Sequence, residues 1–531
     1  MPAIAENELE VEWQFDVPGV EPVLRWLESA AVPGYTVRAV GTKNLVDTYY
    51  DTADWRLHRA GFTCRVRQKG QGVELTLKSM AAAQDGVRSR RELNEPLGIE
   101  GSPADAPGQC GAMVRLIAGR RPLAPLFTLE QTRRLFMLAD GTGDAAEIAV
   151  DETRVPGREG TTTLSRVEVE VSAGALERVR RFTGVLTVAA GLTPGTMSKF
   201  EAGMAAAGLR PLDPAAGLGP AAVTATMTAG EAGYAVLRKH LAVFLANEGG
   251  TRLGEDIEGL HDMRVAARRM RAAMAAFAPW LPPRMARHRL ELGWVAAALG
   301  TVRDLDVQLE QLREWQAGYD AGSDAFQAIE AVLTGRRETG RKRMLAVLDS
   351  RRYEQFVERF SRALRAGAPR AFHAGRVPVL AVAPDVIERR YRTVRRRGGR
   401  ITPQSAPAAY HALRIDAKKL RYALEFLGPL YGKVLPGFVA RVTALQDILG
   451  EHQDAEVAVE MLHGMALSAG RRVGPVTMLA MGAISERYRV RAAELRGQFP
   501  AAFKALRGDA WTELREALEA RRPRPGAVVT E

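Results

Sequence analysis

Glu8-Leu9-Glu10-Val11-Glu12-Trp13-Gln14-Phe15 is the stretch that decides the fold of the first half of this chain. Successive side chains of a β-strand point to opposite faces of a sheet. Leu9, Val11, Trp13 and Phe15 would therefore share an apolar face, and Glu8, Glu10, Glu12 and Gln14 an acidic one. An ordinary edge strand with its carboxylates in water shows the same alternation. The other strands must decide between a solvated face and a functional one.

Composition limits the classes of protein to consider. With 531 residues, of which 46% are hydrophobic, the chain can build two or more domains with sizeable cores. It has no apolar run of about 18 residues that would span a bilayer, and its acidic start does not resemble a signal peptide. We therefore expect a cytoplasmic protein that does not enter a membrane. The two cysteines, Cys64 and Cys110, are too few for a disulfide framework.

The net charge of +12 is distributed unevenly along the chain. Residues 1–210 hold 25 Lys and Arg against 27 Asp and Glu, and the remainder holds 49 against 35. The basic excess therefore belongs to the second half. Such asymmetry favours a polyanion-binding region joined to a domain of different chemistry, although solvated helix faces would also account for much of it.

Alternating strand-like runs recur through the first 200 residues. Thr63 to Arg67 and Val73 to Lys78 flank the turn Lys69-Gly70-Gln71-Gly72, which predicts a hairpin. Later strands are predicted around Arg90 to Asn94 and over Gln131 to Leu138, Glu147 to Asp151 and Arg166 to Val171. Helices are predicted over Glu21 to Ala30, Ala112 to Ala118 and Ala175 to Ala190.

Arginines and carboxylates occupy alternate positions on strand after strand. A single sheet with one wet face would accommodate them in solvent. If the sheet instead closes into a barrel, the same residues line an interior that a ligand must neutralise. A polyphosphate with a divalent metal fits both charges, because guanidinium and ammonium groups bind phosphate oxygens and carboxylates need a bridging cation.

These residues resemble the CYTH domain of the triphosphate tunnel metalloenzymes over roughly residues 6–205. The family opens with Glu-x-Glu-x-Lys, here Glu10-Val11-Glu12-Trp13-Gln14. The other matching motifs are Tyr49-Tyr50-Asp51-Thr52, Arg65-x-Arg67, Thr76-Leu77-Lys78, Arg90-x-Glu92-x-Asn94, Pro125-Leu126-Phe127 followed by Arg133, Glu168-x-Glu170 and Ser198-Lys199. Singly these motifs are weak, but their order over 200 residues is a specific signal.

The resemblance implies an eight-stranded antiparallel β-tunnel with flanking helices that hydrolyses a triphosphate with Mg²⁺ or Mn²⁺. Glu10, Glu12, Glu168 and Glu170 would be metal ligands or position water, with Glu10, Glu12 and Lys199 as the catalytic residues. The predicted triphosphate ligands are Arg65, Arg67, Lys78, Arg90, Arg133 and Lys199. Any one of these arginines could instead make an ordinary strand ion pair. Gln14 departs from the family, because a neutral amide stands where the motif has lysine.

The second half is predicted to be helical and contains an internal repeat. Residues 206–224 are rich in Ala, Gly and Pro and are predicted as a linker. Beyond it, the segment from His261 matches the segment from His411 at an offset of 150 residues, and the same offset aligns Leu299-Gly300-x-x-x-Asp304 with Leu449-Gly450-x-x-x-Asp454. The second half is therefore expected to contain its helical pattern twice.

Each repeat carries a basic stripe, because positions i, i+3, i+7 and i+10 share one face of a helix. The stripes comprise His261, Arg264, Arg268 and Arg271 in the first copy and His411, Arg414, Lys418 and Arg421 in the second. Arg389 and Arg396 belong to an arginine-rich helix that precedes the second stripe. A basic stripe is usually a solvated surface, but two facing stripes would form a groove for an extended polyanion. Metal binding by the two histidines is a weaker alternative.

This half resembles the CHAD domain, the conserved-histidine α-helical domain often fused to CYTH. The resemblance implies a pseudo-twofold pair of helical bundles that binds inorganic polyphosphate. Asp304 and Asp454 would orient arginines or cap helices. The predicted chain is thus a multidomain α+β protein with a CYTH domain at 1–205, a linker at 206–224, a CHAD domain at 225–520 with repeats near 226–350 and 351–500, and a disordered tail at 521–531.

Two functions remain open at this point. The first is a metal-dependent inorganic triphosphatase whose helical half binds polyphosphate. The second is a catalytically weak polyphosphate-binding protein associated with polyphosphate granules, because Gln14 removes a cation. Adenylate cyclase activity, found in some CYTH relatives, stays a further alternative. Specific nucleic-acid binding is not expected, because the basic half lacks a reading motif and interleaved aromatics.

Overall fold

The structure is a computed structural model that describes residues 9–29, 31–81, 87–99, 101–158, 160–211, 213, 215–317, 326–432, 434–469 and 474–523. It contains two compact units. The barrel unit comprises Met1–Pro214 and Glu248–Gly259, and the helical unit comprises Ala215–Asn247 and Leu260–Glu531. The division between them falls inside the predicted linker. Glu8 of the opening motif and residues 524–531 of the predicted tail lie outside the described residues.

Eight antiparallel strands of the barrel unit form a closed barrel. They are β1 Leu9–Asp16, β2 Tyr35–Thr52, β3 Phe62–Lys69, β4 Gly72–Ser79, β5 Val87–Leu97, β6 Leu123–Asp140, β7 Gly143–Gly157 and β8 Gly160–Val171. The strand order is β5-β4-β3-β2-β6-β7-β8-β1, and β1 also pairs with β5. This pairing closes the sheet and confirms the predicted tunnel over the single wet sheet. A two-residue strand, β9 Thr193–Pro194, continues the edge of β1 that pairs with β5, opposite β8.

Side chains alternate along β1, so that apolar ones lie in the outer core and polar ones lie inside the barrel, as predicted. Trp13 and Phe15 are buried on the outer side, in an apolar cluster with α1 Glu21–Ser29 and α4 Leu176–Ala190. Glu12 and Gln14 are buried on the inner side. Leu9, at the start of the apolar face, remains 48% exposed. The strand therefore contributes to the outer core only through its second half.

Short helices cover the rest of the barrel. A second outer cluster packs α3 Gln109–Ala118 on β3, β4 and β5, and both cysteines are buried in it. The remaining helices are α2 Arg56–Arg59, α5 Lys199–Ala206 and α7 Glu248–Leu253. The three helices predicted from sequence are present, although α3 begins three residues earlier. α7 lies within the range 225–520 that the sequence assigned to the helical domain.

The helical unit contains the same pair of helices twice, as the sequence repeat predicted. Its helices are α6 Ala229–Ala246, α8 Ile257–Ala276 (within this unit from Leu260), α9 Met285–Ala317, α10 Gln327–Leu348, α11 Arg351–Ala366, α12 Val379–Gly398, α13 Pro407–Leu427, α14 Val434–Ala469, α15 Pro475–Lys504 and α16 Asp509–Ala520. When the sequence is shifted by the offset of 150 residues, α8 aligns with α13 and α9 aligns with α14. A separate apolar core joins the ends of α9 and α10 to those of α14 and α15. No helix among the described residues is long and apolar enough to cross a membrane.

Candidate functional site

The interior of the barrel is a cavity of about 660 Å³ lined by charged side chains. Its acidic residues are Glu10, Glu12, Glu74, Glu92, Glu147, Glu168, Glu170 and Glu201, and its basic residues are Arg65, Arg67, Lys69, Lys78, Arg88, Arg90, Arg133 and Lys199, with His58. All four predicted metal ligands and all six predicted triphosphate ligands therefore line one cavity. Arg88, Glu92 and Glu147 join them without having been predicted as site residues.

Glu12 is held by two donors inside the cavity. Gln14 Nε2 donates a hydrogen bond of 2.6 Å to Glu12 Oε1, and Arg90 donates to the same oxygen. The neighbouring Glu10 pairs with Lys78, whose ammonium group also lies 3.0 Å from Glu92 Oε2. β1, β4 and β5 thus bring the acidic motif and two predicted phosphate ligands into direct contact.

A hydrogen-bonded chain extends this contact across β3, β4 and β5. Arg65 donates to Thr76 Oγ1 at 3.1 Å, Thr76 donates to Asn94 Oδ1 at 2.7 Å, and Asn94 donates to Glu92 Oε1 at 3.1 Å. Each of these side chains belongs to a motif that alternates along its strand. The chain fixes Arg65 and Glu92 relative to one another.

Two aspartates that the sequence did not single out anchor the basic residues. Asp47 accepts two hydrogen bonds of 2.7 Å from Arg67 and lies 3.6 Å from Arg65. Asp151, fully buried, accepts a bidentate pair from Arg133 and a further bond from Lys199. Planar guanidinium forks held this way have little freedom left to lose on binding. Asp47 and Asp151 therefore orient the cations that face the cavity.

The electrostatics of the cavity divide its carboxylates into two kinds. Burial acts to raise the pKa of Asp47, but Arg65 and Arg67 outweigh it and lower that pKa to about 2. Burial, followed by Glu10 and Glu92, raises the pKa of Glu170 to about 7. Burial also raises the pKa of Glu10, against the effect of Lys78. Glu10 and Glu170 thus lack full compensation by cations.

The predicted metal ligands fit a divalent cation by chemistry but do not form a finished site. Mg²⁺ and Mn²⁺ prefer oxygen ligands, and the raised pKa values of Glu10 and Glu170 mark carboxylates that a cation would stabilise. Among the described residues, no three His, Cys, Asp or Glu side chains converge as a preformed metal cluster. The reason is visible in the ion pairs, since Lys78 and Arg90 hold Glu10 and Glu12.

Helix α5 places Lys199 in the cavity. Ser198 caps its N-terminus and Glu201 completes the capping box. Gly203 packs so closely on the ring of Phe127 that a Cβ there would lie 2.1 Å from Phe127 Cε2. Phe127 is itself held between Tyr49 and Phe200, with ring centroids 5.0 and 5.8 Å away. The position of Lys199 therefore depends on a glycine one turn along the helix.

The predicted basic stripes meet in the helical unit. Arg268 of α8 donates to the hydroxyl of Tyr422 on α13 at 2.8 Å, and Arg269 lies 2.9 Å from Glu425. Burial, followed by the nearby charges of Arg414 and Arg268, lowers the pKa of Lys418 to about 8. We call the surface formed by the eight stripe residues the basic groove.

The repeated Gly-x-x-x-Asp motif supports the stripes from the neighbouring helix. Arg264 lies 3.0 Å from Asp304, and Arg414 lies 3.9 Å from Asp454. Gly300 and Gly450 lie beneath the same two arginines, since a Cβ on Gly300 would lie 3.6 Å from Arg264 Nε and a Cβ on Gly450 3.8 Å from Arg414 Nε. Of the two roles considered for the aspartates, the contacts favour orienting arginines.

Three further predicted polyphosphate ligands, Arg389, Arg396 and His411, lie on exposed positions. Arg389 and Arg396 are exposed on α12, and neither makes an ion pair within the described part of the chain. Their neighbours Arg390 and Arg397 instead contact Ala275 O and Asp416. His411 bonds to Gln453 at 2.7 Å. Arg521 and Arg522, at the start of the predicted tail, contact Leu430 O and Asp385.

Comparison with known protein families gives one match in each half of the chain. The CYTH domain family model matches residues 8–202, and the CHAD domain family model matches residues 235–463. A protein of Haemophilus influenzae named inorganic triphosphatase is 28% identical over 159 residues, which cover 30% of this chain and 45% of the relative. The chain thus spans less than half the length of this curated relative.

Solved structures give further similarities. The CHAD domain of Ricinus communis is 27% identical, with a TM-score of 0.47 over 54% of this chain and 97% of that one. HpAC1 of Hippeastrum, whose structure is described as revealing a dominant triphosphatase activity, is 19% identical, with a TM-score of 0.31 over 38% of this chain and 98% of that one. On the two family matches, the chain combines a CYTH domain with a CHAD domain.

Proposed function

We propose that this protein is a metal-dependent hydrolase that cleaves inorganic triphosphate to diphosphate and phosphate, and that its CHAD domain binds inorganic polyphosphate. The observation that carries the hydrolase proposal is the convergence of both charge sets in one closed cavity. Membership in the CYTH family and the similarity to a named inorganic triphosphatase support the same reaction class.

The basic residues would bind and orient the substrate. Arg65, Arg67, Lys78, Arg90, Arg133 and Lys199 are the proposed triphosphate ligands, and Arg88 joins them as a cation of the same wall. Because Asp47 and Asp151 already fix three of these side chains, the phosphate oxygens meet an arranged set of donors. Donors that need no rearrangement stabilise charge as it moves to the leaving diphosphate.

The acidic residues would hold the metal and a water molecule. Glu10, Glu12, Glu168 and Glu170 are the proposed ligands of Mg²⁺ or Mn²⁺, and the bound metal would offset charge on the transferring phosphoryl group. Burial, followed by repulsion from Glu10 and Glu92, raises the pKa of Glu170 to about 7.

The basic groove would bind the longer polymer. Its two stripes lie on adjoining helices, and burial, followed by the nearby charges of Arg414 and Arg268, lowers the pKa of Lys418. Closely spaced cations attract an extended polyanion, with an affinity that falls as salt rises. Arg389 and Arg396 on α12 are proposed to extend the same surface.

The proposal is tested by phosphate release from tripolyphosphate, ATP and long-chain polyphosphate, each with Mg²⁺, with Mn²⁺ and with EDTA. We expect turnover of tripolyphosphate that requires metal and exceeds turnover of the other two substrates. Absence of metal-dependent turnover, with polyphosphate binding intact, would contradict the hydrolase and favour the polyphosphate-binding alternative. Pyrophosphate released from ATP would instead support a cyclase.

Gly203→Ala should impair hydrolysis through the position of Lys199. The added methyl group cannot fit against Phe127, so α5 must shift. A displacement of a substrate-binding group by about 1 Å lowers turnover substantially. We expect kcat/KM for tripolyphosphate to fall at least about tenfold. Gly184→Ala on the open face of α4 is the control, because a Cβ there meets nothing within 4 Å. Equal activity of both variants would contradict this role of α5.

Polyphosphate affinity should depend on pH through Lys418. Bound phosphate favours the charged amine and raises its pKa above about 8, so binding takes up a proton. Affinity should therefore be highest below pH 8, where Lys418 is already charged, and should fall as the pH rises from 8 towards the pKa of the complex. Titration of polyphosphate between pH 7 and 9.5 at constant ionic strength measures this slope. Lys418→Arg should flatten it, and an unchanged slope would contradict the prediction.

A further inference from the structure

Gln14 has an unusual pair of contacts for a residue of the cavity wall. It lies two positions after Glu12 on β1 and pairs with Glu168 of β8. Its Nε2 donates to Glu12 Oε1 at 2.6 Å, and Arg90 donates to the same oxygen. Because both donors use Oε1, the other oxygen of Glu12 is the one left for a ligand.

The amide oxygen of Gln14 has no donor. Gln14 is 6% exposed, and its Oε1 is buried and receives no hydrogen bond from the described residues. Leaving a buried carbonyl oxygen without a partner is costly, and such an atom in a ligand cavity indicates a missing partner. A cation is one partner that this wall of carboxylates would attract.

The backbone contacts of Gln14 restrict where its side-chain oxygen Oε1 can lie. Gly195 donates its N–H to the backbone carbonyl oxygen of Gln14 at 2.8 Å. A Cβ on Gly195 would lie 3.3 Å from that backbone oxygen. β8 pairs with the opposite edge of the strand. With its main chain held on both sides and its Nε2 bonded to Glu12, Gln14 holds Oε1 in a fixed, buried position in the cavity wall.

A lysine at this position would have the opposite effect on the binding of a cation. Its ammonium group carries three donors and no acceptor, whereas an amide donates and also accepts. Gln14 therefore makes the cavity less positive by one charge and adds an oxygen to the same wall as Glu10 and Glu12. Both changes favour a divalent cation and disfavour a bare polyanion.

We propose that Gln14 positions Glu12 and supplies its Oε1 as a neutral ligand to a divalent cation, so that this protein binds the cation without a phosphate ligand. The proposal rests on the proposed function for the identity of the other metal ligands. It makes the departure from the lysine motif a source of metal affinity instead of a defect.

The test is binding of Mn²⁺ alone to the full-length protein, measured from the electron paramagnetic resonance signal of free Mn²⁺. Gln14→Met removes both polar atoms at similar volume, Gln14→Lys keeps only donors, and Gln14→Glu keeps the oxygen. We expect Gln14→Met to weaken Mn²⁺ binding about tenfold, Gln14→Lys to weaken it further, and Gln14→Glu to bind at least as well as the wild type. Gln131→Met is the matched control, since Gln131 is 3% exposed and neither of its amide atoms has a hydrogen-bond partner in the described part of the chain.

The outcomes separate this proposal from the hydrolase itself. Wild-type affinity in Gln14→Met and Gln14→Lys, or no Mn²⁺ binding by the wild type, would overturn the role of Gln14. Tripolyphosphate hydrolysis by the wild type is measured in parallel, and its absence refutes the proposed function whatever the Mn²⁺ affinities are. Thermal melting of each variant checks folding. If Gln14→Met does not fold, the contrast between Gln14→Lys and Gln14→Glu decides, and equal affinities of those two would overturn the proposal.

Discussion

Glu10→Gln/Glu12→Gln is expected to lower kcat for tripolyphosphate at least about 1000-fold, because removal of two metal ligands forfeits several kcal/mol of transition-state stabilisation. Binding of tripolyphosphate should not be lost. The substitutions remove Glu10 and Glu12 from Lys78 and Arg90 and leave Lys78 paired with Glu92, so the cavity gains positive charge. Tripolyphosphate binding without metal, measured by calorimetry, should therefore be at least as tight as in the wild type.

The matched control for this variant is Glu130→Gln/Glu152→Gln. These two carboxylates belong to the barrel but are more exposed and pair with Arg154 and Arg134, so they contribute little to stability. We expect wild-type turnover from the control. A Glu10→Gln/Glu12→Gln variant that is well folded and within tenfold of wild-type kcat would refute the proposed metal ligands.

Arg264→Glu/Arg414→Glu is expected to weaken binding of long-chain polyphosphate at least about 100-fold at low salt, since like charges in a binding surface cost several kcal/mol. The two substitutions reverse one stripe position in each repeat and face Asp304 and Asp454 with new carboxylates. Hydrolysis of tripolyphosphate should be unchanged, because the proposed reaction occurs in the barrel. Fluorescence anisotropy of labelled polyphosphate and phosphate release measure the two properties separately.

Arg313→Glu/Arg489→Glu makes the same change in net charge outside the basic groove. Both arginines are mostly exposed and pair with Glu330 and Glu486. If this control weakens polyphosphate binding equally, total charge and not the groove determines affinity. The milder pair His411→Ala/Arg414→Ala should weaken binding in the same direction. Loss of tripolyphosphate cleavage in the stripe variants would refute the division of labour between the two domains.

The sequence predicted the cavity well because strand periodicity carries directional information. Glu10 and Glu12 had to share a face, and so did Arg65 and Arg67, whichever strands became neighbours. The ten predicted residues of the cavity all line it. The pairing of β1 with β5, which closes the barrel, depends on a contact across some 80 residues and left no local pattern.

Residues that act through other side chains were missed. Asp47 and Asp151 stand in strand-like runs as many carboxylates do, and only the structure reveals that each holds two cations. The hydrogen bond from Gln14 to Glu12 was missed as well, because a departure from a motif indicates what is lost but not what the new side chain contacts. Such roles depend on distances between strands, which periodicity does not contain.

The contact between α8 and α13 breaks the symmetry of the duplication. Tyr422 and Glu425 receive Arg268 and Arg269, yet the equivalent positions of the first copy are Ala272 and Ala275. Two identical first copies placed face to face would set arginines against arginines with neither a phenol nor a carboxylate to separate them. The two copies are therefore not interchangeable, because the phenol and the carboxylate that receive Arg268 and Arg269 are present in the second copy and are replaced by alanines in the first.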